Sequence, residues 1–349
     1  MDSITSTKTR SYFFILLIVA GLVSIPPAAN AQPDKVYSSI DEALKSPDNV
    51  YILDLVGQDL NSLPPQIGIF KNLKKLYLQL NNLTTLPSEI GKLSNLEELS
   101  IDENQLSTFP AEIAKLGNLK LLTISDNQFV SLPAELGELK KLEVFIASEN
   151  QIKNIPAAVG KLESLREFDL SYNELTSLPS ELFNLKKLTN LYLVHNKITQ
   201  FPDNMSSLDN LSELYADDNL LSKLPNNIGS FRALRVLGLA NNRIAKLPDG
   251  IGKIRTLQFL YLSNNLFTSL PIELGSLSNL IYLDVSNNTL TSIPTELSLL
   301  GNVQDINLYN NKIVEIPAEL GNLPKLQSLG IGNNPIGVVP LNLSKFNIY

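Results

Sequence analysis

From Val50 onward, apolar residues recur on a fixed cycle of 23 positions. One template slides along the chain: L-x-x-L-x-L-x-x-N-x-L-x-x-L-P-x-x-I-G-x-L-x-N. In the second cycle it reads Leu73, Leu76, Leu78, Asn81, Leu83, Leu86, Pro87, Ile90, Gly91, Leu93 and Asn95. Thirteen cycles, the first starting at Val50 and the last at Leu326, fill 50–348 without insertion or deletion, leaving Tyr349 beyond. Self-similarity at such a period signals a repeat architecture, so length is no guide to domain number. Positions three to seven alternate, with four and six apolar, as a half-buried strand requires. One such strand cannot bury its apolar face alone, but stacked neighbours build a continuous core.

Two polar marks keep the same phase. Position nine is Gln58, then Asn81, Asn104, Asn127, Asn150, Asn173, Asn196, Asn219, Asn242, Asn265, Asn288, Asn311 and Asn334. An asparagine side chain both donates and accepts. Buried where the chain leaves the strand, it can satisfy backbone groups of its own and the adjacent turn that are costly to bury unpaired. Position fifteen is proline from Pro64 to Pro340. Its fixed φ and missing N–H end the strand segment and open the outer one. The apolar residues at positions eighteen and twenty-one face inward from a short 3-10 or helical turn. The glycine at nineteen, present in most repeats, is expected to permit tight turning there. Ala147 and Ala216 at position six predict a thinner core in repeats five and eight.

These L-x-x-L-x-L-x-x-N-x-L blocks, with their Leu-Pro and Ile-Gly punctuation, resemble leucine-rich repeats of the 23-residue Leu-Pro class. That class is similar to intracellular Ras-group and plant repeat proteins and to exported bacterial ones. The resemblance covers 50–348. It implies an α/β fold: a curved solenoid with a parallel sheet on the concave side and short 3-10 or helical turns on the convex side. It also implies that side chains at positions three, five and seven project from the concave sheet.

The two ends depart from the cycle. Lys8 and Arg10 precede an apolar run from Tyr12 to Val23, and Ala29-Asn30-Ala31 offers a small-x-small cleavage site. Residues 1–31 therefore read as a secretory signal, cleaved before Gln32. The run is shorter than the ~20 residues that a spanning helix needs, so no stable membrane span is expected after cleavage. Residues 32–49 read as an N-terminal cap ahead of the repeats, 50–349. Within it Ser39-x-x-Glu42 matches a capping box, and Pro47 is expected to stop the helix. No comparable cap is expected after the last repeat. Gly330, Gly332 and Pro335 should weaken its outer edge as a template for pairing. A homodimer through this C-terminal edge is one reading of the open end.

Composition narrows the functional classes. The chain has no cysteine, which excludes disulfide caps, a lipidated N-terminal cysteine and a thiol nucleophile. Extracellular eukaryotic repeat proteins usually carry cysteine caps, so the resemblance points to a bacterial source. The net charge is −7, and −8 without residues 1–31, which opposes binding to nucleic acid or anionic lipid. No phosphate-binding, nucleophile-elbow or zinc-protease motif is present, and the repeats leave no room for an appended catalytic domain. No enzyme activity, cofactor or metal is expected.

The charge is not spread evenly. Concave positions carry Asp54, Glu98, Asp102, Glu167, Asp169, Glu213, Asp217, Asp284 and Asp305, against Lys75 as the one base. Position eight adds Glu103, Asp126, Glu149 and Asp218. Lys92, Lys115, Lys161 and Lys253 lie on the rims and convex side. Tyr77, Tyr192, Tyr215, Phe259, Tyr261, Tyr282 and Tyr309 occupy concave positions, while Tyr172 and the lone His195 take position eight. Gly238 interrupts the stripe and is expected to leave a shallow gap. Exposed aromatics beside charge are what protein-binding hot spots look like. Laddered tyrosines also stabilise strands on their own account.

The reading that these patterns support is a secreted or cell-envelope scaffold that binds a protein with a basic surface. Its candidate contacts are Tyr192, Tyr215, Phe259, Tyr261, Tyr282, Glu213, Asp217 and Asp169. The alternatives are a self-associating surface protein and a non-catalytic glycan binder. The Asp217-Asp218 pair near Glu213 reads as solvated charge rather than a calcium site. Five Asn-x-Ser/Thr triplets, among them at Asn82 and Asn204, are what asparagine-rich repeats produce by chance.

Overall fold

The computed structural model describes residues 35–349, so the expected signal segment lies outside the described residues. Its backbone is one parallel sheet of fifteen strands stacked in chain order. Apart from the first and last pairs, neighbouring strands are offset by one 23-residue cycle, as in Ile52↔Lys75 and Glu167↔Asn190. Each inner strand is only three residues long, covering positions three to five. Pairing nevertheless continues past it: Leu55 N–H donates to Tyr77 O and Gly57 N–H to Gln79 O. The convex side consists of 3-10 turns, typically five residues long and entered from the position-fifteen proline in an extended conformation, as at Pro156.

The core runs the length of the stack. In repeat six Leu165, Phe168, Leu170, Leu175, Leu178, Leu182 and Leu185 are all buried. They occupy positions one, four, six, eleven, fourteen, eighteen and twenty-one. Ala147 and Ala216 are completely buried too, and in repeat five Phe145 stands two positions before Ala147 and stacks on Phe168 with ring centroids 5.2 Å apart.

Both ends differ from expectation. A short strand, β1 (Val36–Tyr37), pairs with β2 (Ile52–Asp54), and helix α1 (Ile40–Ala43) follows it. Ser39 caps α1, its hydroxyl accepting from Glu42 N–H at 3.4 Å. Pro47 does not merely stop this helix; it opens a 3-10 turn, Pro47–Asn49, as its first residue. Proline suits that place because its missing N–H would have no partner there. Gln58 Nε2 ties the segment down by donating to Ser38 O. At the other end the chain re-enters the sheet. Strand β15 (Asn347–Ile348) pairs with β14 (Ser328–Gly330) after a cycle shortened to nineteen, Ser328↔Asn347. Gly330 and Gly332 make room rather than weaken an edge. A Cβ at Gly330 would meet the ring of Tyr349, 2.7 Å away, and one at Gly332 the ring of Tyr309, 3.1 Å away.

The position-nineteen glycines also act differently from expectation. Their φ angles are not in the left-handed region; instead the next turn passes against them, so that a Cβ on Gly160 would overlap Glu181 O and one on Gly275 would overlap Glu296 O. Repeat six has Phe183 at this position, buried, and the following turn is shortened to Met205–Ser207. The ring stands where most repeats have a glycine, and the neighbouring turn is anchored by Ser207 Oγ donating to Phe183 O and Asn204 Nδ2 to Ser180 O.

Candidate concave interface

The concave surface is held in place from beneath by the position-nine asparagines. Asn196 is representative: its Nδ2 donates to Leu170 O of the preceding repeat at 2.9 Å and to Leu193 O at 3.1 Å, and its Oδ1 accepts from Leu175 N–H at 3.0 Å. The same contacts recur from Asn81 to Asn334. Each side chain thus pairs three or more backbone groups that no ladder reaches. The turn this fixes puts position eight in the left-handed region in every repeat, with φ between 51° and 57° from Leu80 to Asn333 and 65° at Gly57. Repeats nine to thirteen meet that demand with Asn241, Asn264, Asn287, Asn310 and Asn333, a residue that tolerates it. Among repeats two to eight, Asp126, His195 and Asp218 share part of that tolerance, whereas Leu80, Glu103, Glu149 and Tyr172 do not. The signal was present in the sequence as this run of asparagines beside the ladder.

The acidic positions prove to have two roles. Strand pairing leaves the position-seven N–H without a ladder partner in several repeats, and a nearby carboxylate accepts from it. Asp169 takes Ser171 N–H at 2.8 Å, Asp284 takes Ser286 N–H at 2.9 Å, and Asp54 takes Val56 N–H at 3.1 Å. From position seven, Asp217 reaches forward to Ala240 N–H at 2.8 Å. Asp102 does the same to Ser125 N–H and also accepts from the Thr123 hydroxyl. Burial against the sheet pushes the carboxyls of Asp102 and Asp217 up to about 6 and raises that of Asp169, although these hydrogen bonds pull the other way.

The tyrosines form two pairs. Tyr192 and Tyr215, on β8 (Asn190–Tyr192) and β9 (Glu213–Tyr215), stack with centroids 5.6 Å apart and planes 15° from parallel. Tyr261 and Tyr282, on β11 (Phe259–Tyr261) and β12 (Tyr282–Asp284), lie 5.3 Å apart at 44°, with Phe259 opposite Tyr282 in the register. Between the pairs, Gly238 is not an empty gap. A Cβ there would collide with Asp217 Oδ2 and approach the Tyr215 ring to 2.9 Å, so the two side chains occupy the space that the glycine frees. Burial raises the hydroxyls of Tyr192 and Tyr282 and pushes that of Tyr215 up to about 12, so all three remain protonated donors.

The charge balance changes along the arc. At its N-terminal end Lys75 neutralises Glu98 at 2.9 Å, and the Tyr77 hydroxyl donates to the same carboxylate. In the middle no such partner exists. Among the described residues no ion pair involves Glu167, Asp169, Glu213 or Asp217. Glu213 accepts from the Tyr192 hydroxyl at 3.5 Å, and that hydroxyl accepts from Asn190 Nδ2 at 3.1 Å. Glu167, next to Asn190 on β7 (Glu167–Asp169), has its carboxyl pushed up to about 7 by burial, then by Asp169 and Glu213. Glu167 and Asn190 belong with the candidate contacts; the pattern of acids showed Glu167 as one charge among nine, and its lack of a counter-ion emerges only when side chains are placed. Asp218 and His195 stand on the flanking left-handed turns, where His195 stacks on Tyr172 at 5.1 Å. No helix among the described residues is long and apolar enough to cross a membrane.

Known proteins share this architecture. A Leptospira interrogans leucine-rich repeat protein aligns at 31% identity and TM-score 0.58, over 90% of this chain and 99% of its own. The plant peptide hormone receptor RGFR1, in complex with RGF2, aligns at 26% identity and TM-score 0.71 over 89% of this chain, which spans 56% of the receptor chain. A Listeria monocytogenes internalin shares the fold at 21% identity and TM-score 0.73, over 87% of both chains. No curated protein sequence matches the chain significantly. The profile described as leucine-rich repeat region matches residues 43–149 and 221–336, and a second leucine-rich repeat profile matches 163–221. On this match, with the asparagine-pinned parallel stack beneath it, the chain belongs to the leucine-rich repeat family.

Proposed function

We propose that this chain is an exported binding scaffold whose concave face captures a protein or peptide, and that the captured segment places a lysine or arginine over Glu167 and Glu213 beside the Tyr192–Tyr215 stack. The observation that carries this reading is the group of half-buried carboxylates without a cationic partner next to stacked, partly exposed rings. Buried charge left unpaired is costly, and an incoming cation relieves that cost. Aromatic pairs supply the apolar area that such contacts need. The plant receptor in complex with RGF2 supports the reading that a stack of this kind takes a polypeptide. Export rests on the basic, apolar and small-residue succession of residues 8–31.

A pull-down from surface and secreted extracts, paired with an array of synthetic peptides differing in Lys and Arg content, tests the site. The triple variant Tyr192→Ala, Tyr215→Ala, Tyr261→Ala should fold and lose at least about 30-fold in affinity for whatever the unaltered chain captures. Equal capture by both proteins, or preference for acidic peptides, would remove the concave stripe from consideration. N-terminal sequencing of the exported chain should begin at Gln32.

A further inference from the structure

Two departures from the repeat meet at repeats eight and nine. Lysine takes position thirteen only there, as Lys223 and Lys246; elsewhere the position is Ser, Thr, Asn or Gln, then Glu315 and Val338. Position seventeen is Gln, Glu, Ala or Asn in every other repeat and Gly250 in repeat nine. The fold brings these residues together: Lys223, Asn226, Lys246, Pro248, Asp249 and Gly250 line one open cleft of about 520 Å³. The missing side chain at Gly250 leaves it room, since a Cβ there would come within 2.8 Å of Asn226 O. Lys223, Asn226, Lys246 and Asp249 are all exposed. Among the described residues none of these four side chains makes an ion pair or a hydrogen bond. Elsewhere lysines pair across one cycle, Lys120 with Glu97 at 2.6 Å and Lys161 with Glu138 at 3.4 Å. Here two like charges stand one cycle apart instead. Between Asn219 and Gln258 the chain carries seven Lys or Arg and a single acid, Asp249, although its net charge is −7.

A cleft of this size is within the range of small-ligand sites, and its polar groups are left for a ligand to use. We infer that it binds a carboxylated sugar unit of a glycan, whose carboxylate sits between the Lys223 and Lys246 ammonium groups and whose hydroxyls meet Asp249 and Asn226. The lining chemistry selects this ligand. Two neighbouring ammonium groups repel, and one anion between them relieves that repulsion. The Asp249 carboxylate can only accept, so it suits hydroxyl donors. It also opposes a phosphoryl group, which carries close to two negative charges at neutral pH. The Asn226 amide both donates and accepts, as sugar hydroxyls do. No aromatic side chain lines the cleft, so a nucleobase would lack a stacking platform. The cleft is built from positions thirteen to seventeen, outside the concave positions three to seven. It is therefore a second site on the scaffold, and the two readings stand or fall independently.

Saturation-transfer NMR of the purified chain, titrated with methyl β-D-glucuronide, tests the site. The Kd should be on the order of 1 mM, and methyl β-D-glucoside, the same ring without the carboxylate, should bind at least about tenfold more weakly. The variant Lys223→Gln, Lys246→Gln should keep its thermal melt, because both residues are exposed, and lose at least about tenfold in affinity for the glucuronide. Lys115→Gln, Lys312→Gln removes the same charge elsewhere and should bind like the unaltered chain. Asp249→Asn should raise the affinity for glucose 6-phosphate several-fold. No saturation transfer to the glucuronide, or equal losses in the two double variants, would overturn the proposal. So would a glucoside that binds as tightly as the glucuronide. Tighter binding of glucose 6-phosphate, or of an aspartate-rich peptide, to the unaltered chain would reject the carboxylated sugar as the ligand.

Discussion

Replacing Glu167 with glutamine tests the electrostatic account of the concave face. The carboxyl of Glu167 is pushed from its ordinary 4.5 up to about 7, by burial first and then by Asp169 and Glu213. The folded chain therefore holds this proton more tightly than the unfolded chain does. Between about pH 4.5 and 7 the native state binds more protons, so the stability it confers is present at low pH and is lost as pH rises through about 7. At 1.36 kcal/mol per pH unit the cost at pH 8 has a ceiling of about 3 kcal/mol. The side chain keeps some contact with water, and screening reduces the expected value to about 1–2 kcal/mol. Glu167→Gln should therefore be more stable than the unaltered chain by that amount at pH 8 and equal to it at pH 4. Urea unfolding followed by circular dichroism at the two pH values measures the difference. A variant that is less stable at pH 8, or whose advantage persists unchanged at pH 4, would show that Glu167 is not held ionised at a cost. The same reasoning sets a condition on function: a cationic ligand should bind more weakly below pH 6, where Glu167 takes up its proton.

Three further outcomes follow from the backbone geometry. Asn196→Ala leaves Leu170 O, Leu193 O and Leu175 N–H without their side-chain partner and should cost roughly 1–3 kcal/mol in urea unfolding; a loss of only a few tenths would refute the ladder's energetic role. Gly160→Ala places a methyl group against Glu181 O and should destabilise by about 1–3 kcal/mol, whereas Gly117→Ala, with open space around it, should be nearly neutral; similar costs for both would argue against close approach as the glycine's role. Leu80→Asn should stabilise by about 1 kcal/mol, since Leu80 is 51% exposed and sits at φ 57°, a conformation that asparagine tolerates better. A thermal melt that moves down instead would mean that the leucine contributes packing that its exposure conceals.

The period of 23, the apolar positions, the asparagine at nine and the proline at fifteen were enough to place every inner strand, because a repeat that must stack on its neighbours repeats its core exactly once per cycle. The same register located Tyr192, Tyr215, Tyr261 and Tyr282 on one face before any coordinates. Other features depend on how one repeat meets the next, and no single cycle encodes that. The position-nineteen glycine reads locally as a flexible residue, yet its function is set by the carbonyl that the following turn brings against it. Asp169 and Asp217 read as free surface acids until the sheet shows which N–H groups lack partners. Gln58 departs from the template where its side chain bonds Ser38 O, and Asn347–Ile348 re-enter the sheet after a shortened cycle, neither of which a single cycle encodes. Sequence thus determined the stack and which side chains face its hollow. Only the tertiary structure decided which of those side chains spend their hydrogen bonds on the backbone and which, like Glu167, remain without a counter-ion, because that depends on neighbours 21 to 26 residues away being brought within about 3 Å.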